Sequence, residues 1–260
     1  MAATERELLT ARIFMRAAFP VMKVVLEDLP SIGNRFRGVS AKVQFLARNA
    51  GEDVGACLVF DPVAGFHVEQ GIVPGADIVL EFSSVAKMNT LLKGGAALPR
   101  VKGITHLGLL IKTVVLLLSL KLMMPFARPK DLAKKRLKVK MTIYMITTAL
   151  SQYNKGGDPE IRDWTSKQPD RIYQMSVAGT DIAAYLRVRA GQTKAGRGLY
   201  ARRQPFVHMR FHSVDGALAV LNKEAEFIES VAKGYVSVDG SPEYAAQLND
   251  FMMRIQSLVM

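Results

Sequence analysis

The sequence predicts an α+β protein, antiparallel sheets covered by helices, arranged as a tandem pseudo-repeat. Three observations carry this prediction. Several short runs alternate apolar and polar residues with period two and are separated by turn signals, as antiparallel strands require. Short capped helices and longer apolar helices interrupt those runs. A block of strand, short helix, V-x-G turn and long helix then recurs further along the chain at a nearly constant offset.

The first elements are read as follows. Residues 5–29 carry apolar side chains at helical spacing (Leu8, Ile13, Phe14, Ala17, Val21, Val24, Val25), with Pro20 bending or splitting the helix. From Gly38 the period falls to two: Val39, Ala41, Val43 and Phe45 alternate with Ser40, Lys42 and Gln44. Strands are expected at 54–60, 65–73 and 76–82, the last with Ile78, Leu80 and Phe82 on one face. Ser83 or Ser84 caps a short helix that ends near Lys93 and two glycines. A turn at Val101, Lys102 and Gly103 leads into a long apolar helix over 107–126, stopped by Pro125 and Pro129. A basic run, 128–140, passes into an apolar helical stretch at 141–150, and NKGGDP from Asn154 reads as a linker. Strands are expected again at 171–179, 182–190 and 207–211, with an arginine-rich hairpin at 191–203. A short helix starts near Val214 and a closing helix covers 242–259.

The repeat is explicit in the residues. Segment 79–85 (VLEFSSV), leading to Leu91 and Leu92, aligns with 208–214 (HMRFHSV), leading to Val220 and Leu221, at an offset of 129. VKG at 101–103 aligns with VDG at 238–240 at an offset of 137. At that same offset Leu107, Ile111, Val114, Val115 and Leu118 face Tyr244, Leu248, Phe251, Met252 and Ile255.

ADIVLEF at 76–82, LLKG at 91–94 and VKG at 101–103, in that order before a long apolar helix, resemble the sterol carrier protein lipid-transfer domain. The similarity covers roughly 35–125 and, less well, 165–260. The chain then divides into an N-terminal helical segment (1–34), a first sterol-carrier-like domain (35–127), a basic helical linker (128–157) and a second, diverged domain (158–260). The resemblance implies a five-stranded sheet and helices enclosing an apolar tunnel for a sterol-like or fatty acyl ligand, closed by the last helix. The implied lining is Phe82, Leu107, Leu110, Ile111, Val114, Leu117, Leu118 and Met123 in the first copy. In the second it is Phe211, Leu248, Phe251, Met252 and Ile255. Lys112 and Lys121 fall inside 107–126, and each would cost roughly 2.5–3.5 kcal/mol at the centre of a membrane span. That segment is therefore expected to be a buried, cavity-lining helix, with a span or a membrane-surface element as alternatives. The chain departs from the family in the hydrophobicity of this helix and in the arginine-rich hairpin.

Composition narrows the function classes. The chain has 260 residues, 49% of them hydrophobic and 22% charged, which is ordinary for a globular protein. Its formal charge of +12 favours an anionic partner. Lys134, Lys135, Arg136 and Lys138 are the expected contacts to an anionic membrane surface, at about 1 kcal/mol per basic residue. Nucleic acid is disfavoured, because only Tyr185 and Tyr200 lie near the basic segment 187–203 and no aromatic lies within 128–140. The sole cysteine, Cys57, sits in an apolar run and reads as a buried hydrophobe. The histidines (His67, His106, His208, His212) make no helical metal pair, and no G-x-S-x-G elbow or Walker loop occurs. Neither a catalytic site, a metal nor a cofactor is expected. Glu5 and Glu7 are wrong for an export signal, so a cytoplasmic protein, peripheral at the membrane, is expected. The alternative reading is an interaction scaffold without a cavity that binds an acidic partner through its basic face.

Overall fold

The structure is a computed structural model describing residues 2–222, 224 and 227–260. The chain divides into two compact units, Met1–Leu120 with Leu258–Met260, and Lys121–Ser257.

The first unit opens with a continuous helical run: α1 (Glu5–Ile13), a π-helical turn (Phe14–Ala18) and α2 (Phe19–Asp28). Thr4 starts it with a capping box: its hydroxyl accepts from the Glu7 amide, and the Glu7 carboxylate accepts from the Thr4 amide. Pro20 neither splits nor ends the run. Proline cannot donate to the carbonyl four residues back, and the π turn absorbs the mismatch, with the Phe19 amide reaching Phe14 five residues earlier. A one-turn helix α3 (Pro30–Gly33) follows. Then come β1 (Ala41–Ala47), β2 (Val54–Phe60), β3 (His67–Gln70) and β4 (Ile78–Phe82), then α4 (Val85–Leu92), β5 (Arg100–Lys102) and α5 (Leu107–Ser119).

The second unit repeats the order. A long helix α6 (Leu132–Lys155) and α7 (Pro159–Ser166) precede β6 (Arg171–Val177), β7 (Ala183–Arg189), β8 (Gln192–Arg197) and β9 (Val207–Phe211). Then come α8 (Val214–Leu221), α9 (Phe227–Ala232), β10 (Val236–Gly240) and α10 (Pro242–Val259).

Both sheets have five strands and one topology, β3-β2-β1-β4-β5 and β8-β7-β6-β9-β10. Every pair is antiparallel except one in each sheet, β1 with β4 and β6 with β9, which is parallel. The sequence offsets reappear as strand register. Val79 pairs with Lys102, and His208, 129 residues on, pairs with Asp239, 137 residues on. Both V-x-G segments, read as turns, are thus edge strands ending in a left-handed glycine. Ser84 caps α4 by accepting from the Lys87 amide; Ser213 caps α8 by accepting from the Gly216 amide, at the same offset.

The segment 128–157 is not a linker. Asp131 caps α6, which lies across β7 and β8 and buries Leu137, Met141, Tyr144 and Leu150 within the second unit. Residues 191–203 divide into β8, which joins β7 through Ala190 and Gly191 at positive φ, and an irregular return to β9.

Candidate functional site

In the first unit, Val43, Phe45, Ile78, Leu80 and Phe82 share one sheet face and are buried, with the Phe19 ring of α2 at 4.9 Å from Phe45. Phe82 is therefore a core side chain. The final helix behaves differently. In α5 every position except Gly108, Lys112, Thr113 and Ser119 is Leu, Ile or Val, yet only Thr113 and Leu116 are buried. It packs against α2. On its opposite side Leu107, Ile111, Val114 and Leu118, spaced to form one stripe, are 42–56% exposed. Leu110, Leu117 and Met123 are half-buried beside it.

This corrects the expectation of a buried helix whose stripe faces inward. A helix that is apolar all round can dock by either face, so hydrophobicity alone did not fix which one. Ile104–Met123 is long and apolar enough, by length and composition, to cross a membrane.

The second unit supplies the comparison. The positions in α10 that match the stripe, Leu248, Phe251 and Ile255, are at most 7% exposed. Trp164 of α7 packs against Phe251: its ring lies 5.4 Å from Phe251 and 5.3 Å from Tyr173, and its Nε1 donates to Gln247 Oε1 at 2.6 Å. Arg171 extends the cluster, its guanidinium 3.9 Å from the Phe206 ring centre and 4.4 Å from that of Tyr244. Phe211, Leu248, Phe251 and Ile255 are thus packed core residues, with Met252 half-buried beside them. The matches to the buried positions of α5, Asp250 and Met253, point outward here. The two helices therefore use opposite faces. Trp164, which packs on this face in the second unit, was missed because a single tryptophan in the short helix α7 carries no periodic signal.

The basic residues expected at a membrane surface are largely committed elsewhere. Lys138 is 1% exposed, and its Nζ donates to the carbonyls of Met124 at 2.8 Å and Ala127 at 2.6 Å. Burial lowers its pKa to about 8. It cannot meet a membrane, because it lies on the inward stripe of α6. Lys135 pairs with Asp215 and Arg136 with Asp181; Lys134 is exposed.

A polar cluster occupies the face of the second sheet opposite Tyr173. His208 Nε2 lies 2.8 Å from Ser176 Oγ, and Arg210 donates from Nε to His208 Nδ1 at 3.1 Å. An arginine can only donate, so Nδ1 accepts from Arg210, while Nε2 faces both Ser176 Oγ and the Gln174 amide nitrogen, the latter at 3.2 Å. Burial first, and then Arg210, lowers the His208 pKa and keeps the ring neutral.

A groove of about 630 Å³ lies in the first unit, over the rings of Phe36, Phe60 and Phe66 and bordered by Lys23 and Arg37. None of the expected lining residues borders it.

Neither a protein-family model nor a curated protein matches the chain. Solved structures that match include palmitated SCP2L2 from Aedes aegypti, at 18% identity and a TM-score of 0.30, covering 41% of this chain and 90% of that one. A double mutant of the sec-alkyl sulfatase PisA1 matches at 12% identity and a TM-score of 0.29, covering 63% of this chain and 31% of that one. The inverting sec-alkylsulfatase Pisa1 from Pseudomonas sp. matches at 12% identity and a TM-score of 0.26, covering 62% and 31%.

Proposed function

We propose that the chain is a non-catalytic lipid-binding protein whose first unit contacts a sterol-like or fatty acyl ligand through α5. The two units are read as diverged copies of one module, of which the second has closed its core and serves structure. One observation carries this reading. The helix face that shuts the aromatic core in the second unit stands open in the first, where Ile111, Val114 and Leu118 are without cover. Exposed large apolar side chains aligned on one helix face mark a contact with an apolar partner. The sequence resemblance to the sterol carrier family names the class of that partner.

Native mass spectrometry of the purified protein, with organic extraction, tests the proposal. About one lipid per chain is expected, together with saturable binding of a fluorescent fatty acyl probe that Val114→Asp weakens by about tenfold or more. Protein that is consistently empty and indifferent to acyl and sterol probes would refute it.

A further inference from the structure

We infer that α5 docks the protein onto an anionic bilayer, lying in the plane of the surface with Leu107, Ile111, Val114 and Leu118 set into the boundary between headgroups and acyl chains. The inference rests on the lipid-binding reading and adds the partner surface and the element that meets it.

The stripe is the first observation. The second is charge. Between Glu81 and Asp131 the chain has no Asp or Glu, but eight Lys and Arg residues; Lys102 pairs with Glu81 and Arg128 with Glu224, and two others, Lys112 and Lys121, lie within the apolar segment itself. Lys121 is exposed and Lys112 half-buried on the flank of the helix. An apolar stripe flanked by cations and without anions complements a surface of acidic headgroups. It is a poor match for a second copy of this basic chain, which would bring the same cations face to face.

The third observation is attachment. The helical segment Ile104–Met123 has the length to cross a bilayer, but one side of α5 is held by the fold, with Thr113 and Leu116 fully buried. A helix anchored along its inner face can lie on a membrane with its outer face submerged, but cannot cross it. The docking element therefore differs from the basic stretch in α6, where Lys138 is buried and Lys135 and Arg136 are paired.

Flotation of the full chain with phosphatidylcholine vesicles, with and without phosphatidylserine, tests the inference. Binding to the anionic vesicles is expected to be about tenfold or more tighter and to weaken with salt. The double variant Ile111→Ser with Leu118→Ser, at half-exposed positions, should lose about tenfold or more on both vesicle types with its circular dichroism unchanged. Lys112→Gln with Lys121→Gln should lose only the preference for anionic vesicles. Wild type that ignores vesicles, or a stripe variant that binds as wild type does, overturns the inference. So does a concentration-dependent dimer, in place of vesicle binding, that the stripe variant abolishes. The outcome is separable from that of the lipid-binding proposal. Protein that floats but carries no lipid in native mass spectrometry sinks the ligand reading alone, and protein that carries lipid but does not float sinks the docking reading alone.

Discussion

Replacing Gly103 or Gly240 with alanine tests whether the two V-x-G segments are the same structural device. Both glycines have positive φ, +85° and +99°. A Cβ on Gly103 would sit 1.9 Å from the Asp77 carbonyl oxygen, and one on Gly240 would sit 2.0 Å from that of Phe206. These two carbonyls are themselves 129 residues apart. The left-handed conformation costs a non-glycine residue roughly 1–2 kcal/mol. Relieving an overlap of about 1 Å with backbone, which cannot rotate away, adds roughly 1–3 kcal/mol. Each substitution should thus destabilise its unit by about 3 kcal/mol, on the order of a hundredfold in the folding equilibrium. Urea denaturation reads both. The chain has one tryptophan, Trp164 in the second unit, so its fluorescence follows Gly240→Ala, and far-ultraviolet circular dichroism follows Gly103→Ala. A loss below about 1 kcal/mol at either position would mean that the backbone yields, and would refute the claim that these glycines are required by close approach.

Two further outcomes follow from buried groups. Lys138 has a pKa lowered from 10.5 to about 8 by burial, so between those values the unfolded chain binds the proton that the folded chain has released. Stability should then rise as the pH is raised from about 8 towards 10.5, and comparing urea midpoints with those of Lys138→Met, which should lack this rise, checks it. Cys57 is buried and its thiol is pushed up to about 11, chiefly by burial. A thiol reagent at neutral pH should label it only after denaturation, and rapid labelling of native protein would contradict the packing of β2.

Much of the fold was legible because it is written in short-range patterns. Alternation located β1 and β4, turn residues bounded β2, a serine cap located α4, and the 129 and 137 offsets survive as strand register. The parallel pairing of β1 with β4 was not legible, since alternation reports which face is buried and not which neighbour lies alongside. The deeper repeat of the helical run was also missed. Thr4 and Asp131 are equivalent caps, and the runs they start at residues 5 and 132 end at 28 and 155, but Pro20 and the basic residues of α6 disguise the match. The candidate site was half legible. The stripe on α5 was found from spacing, but its direction depends on packing partners distant in the sequence, such as Trp164 in the second unit, which short-range spacing does not report.

That difference in docking is what supports the lipid-binding proposal. Half of each of four large apolar side chains is left in water, which forgoes about 1 kcal/mol apiece, and a lipid that covers them recovers it. In α10, Glu243, Asn249, Asp250 and Arg254 line a polar face, so only one orientation buries apolar surface; α5 has no such face to dictate its choice. The consequence for stability is measurable without any ligand. Leu248→Ala and Ile255→Ala remove fully packed side chains and should each cost about 2–5 kcal/mol. Their matches Ile111→Ala and Leu118→Ala remove atoms that already face water and should cost less than about 0.5 kcal/mol. Urea denaturation of the four variants in lipid-free buffer makes the comparison. Equal losses in the two helices would mean that α5 docks in solution as α10 does, with its stripe turned inward, and the face assigned to lipid would not be available to bind it.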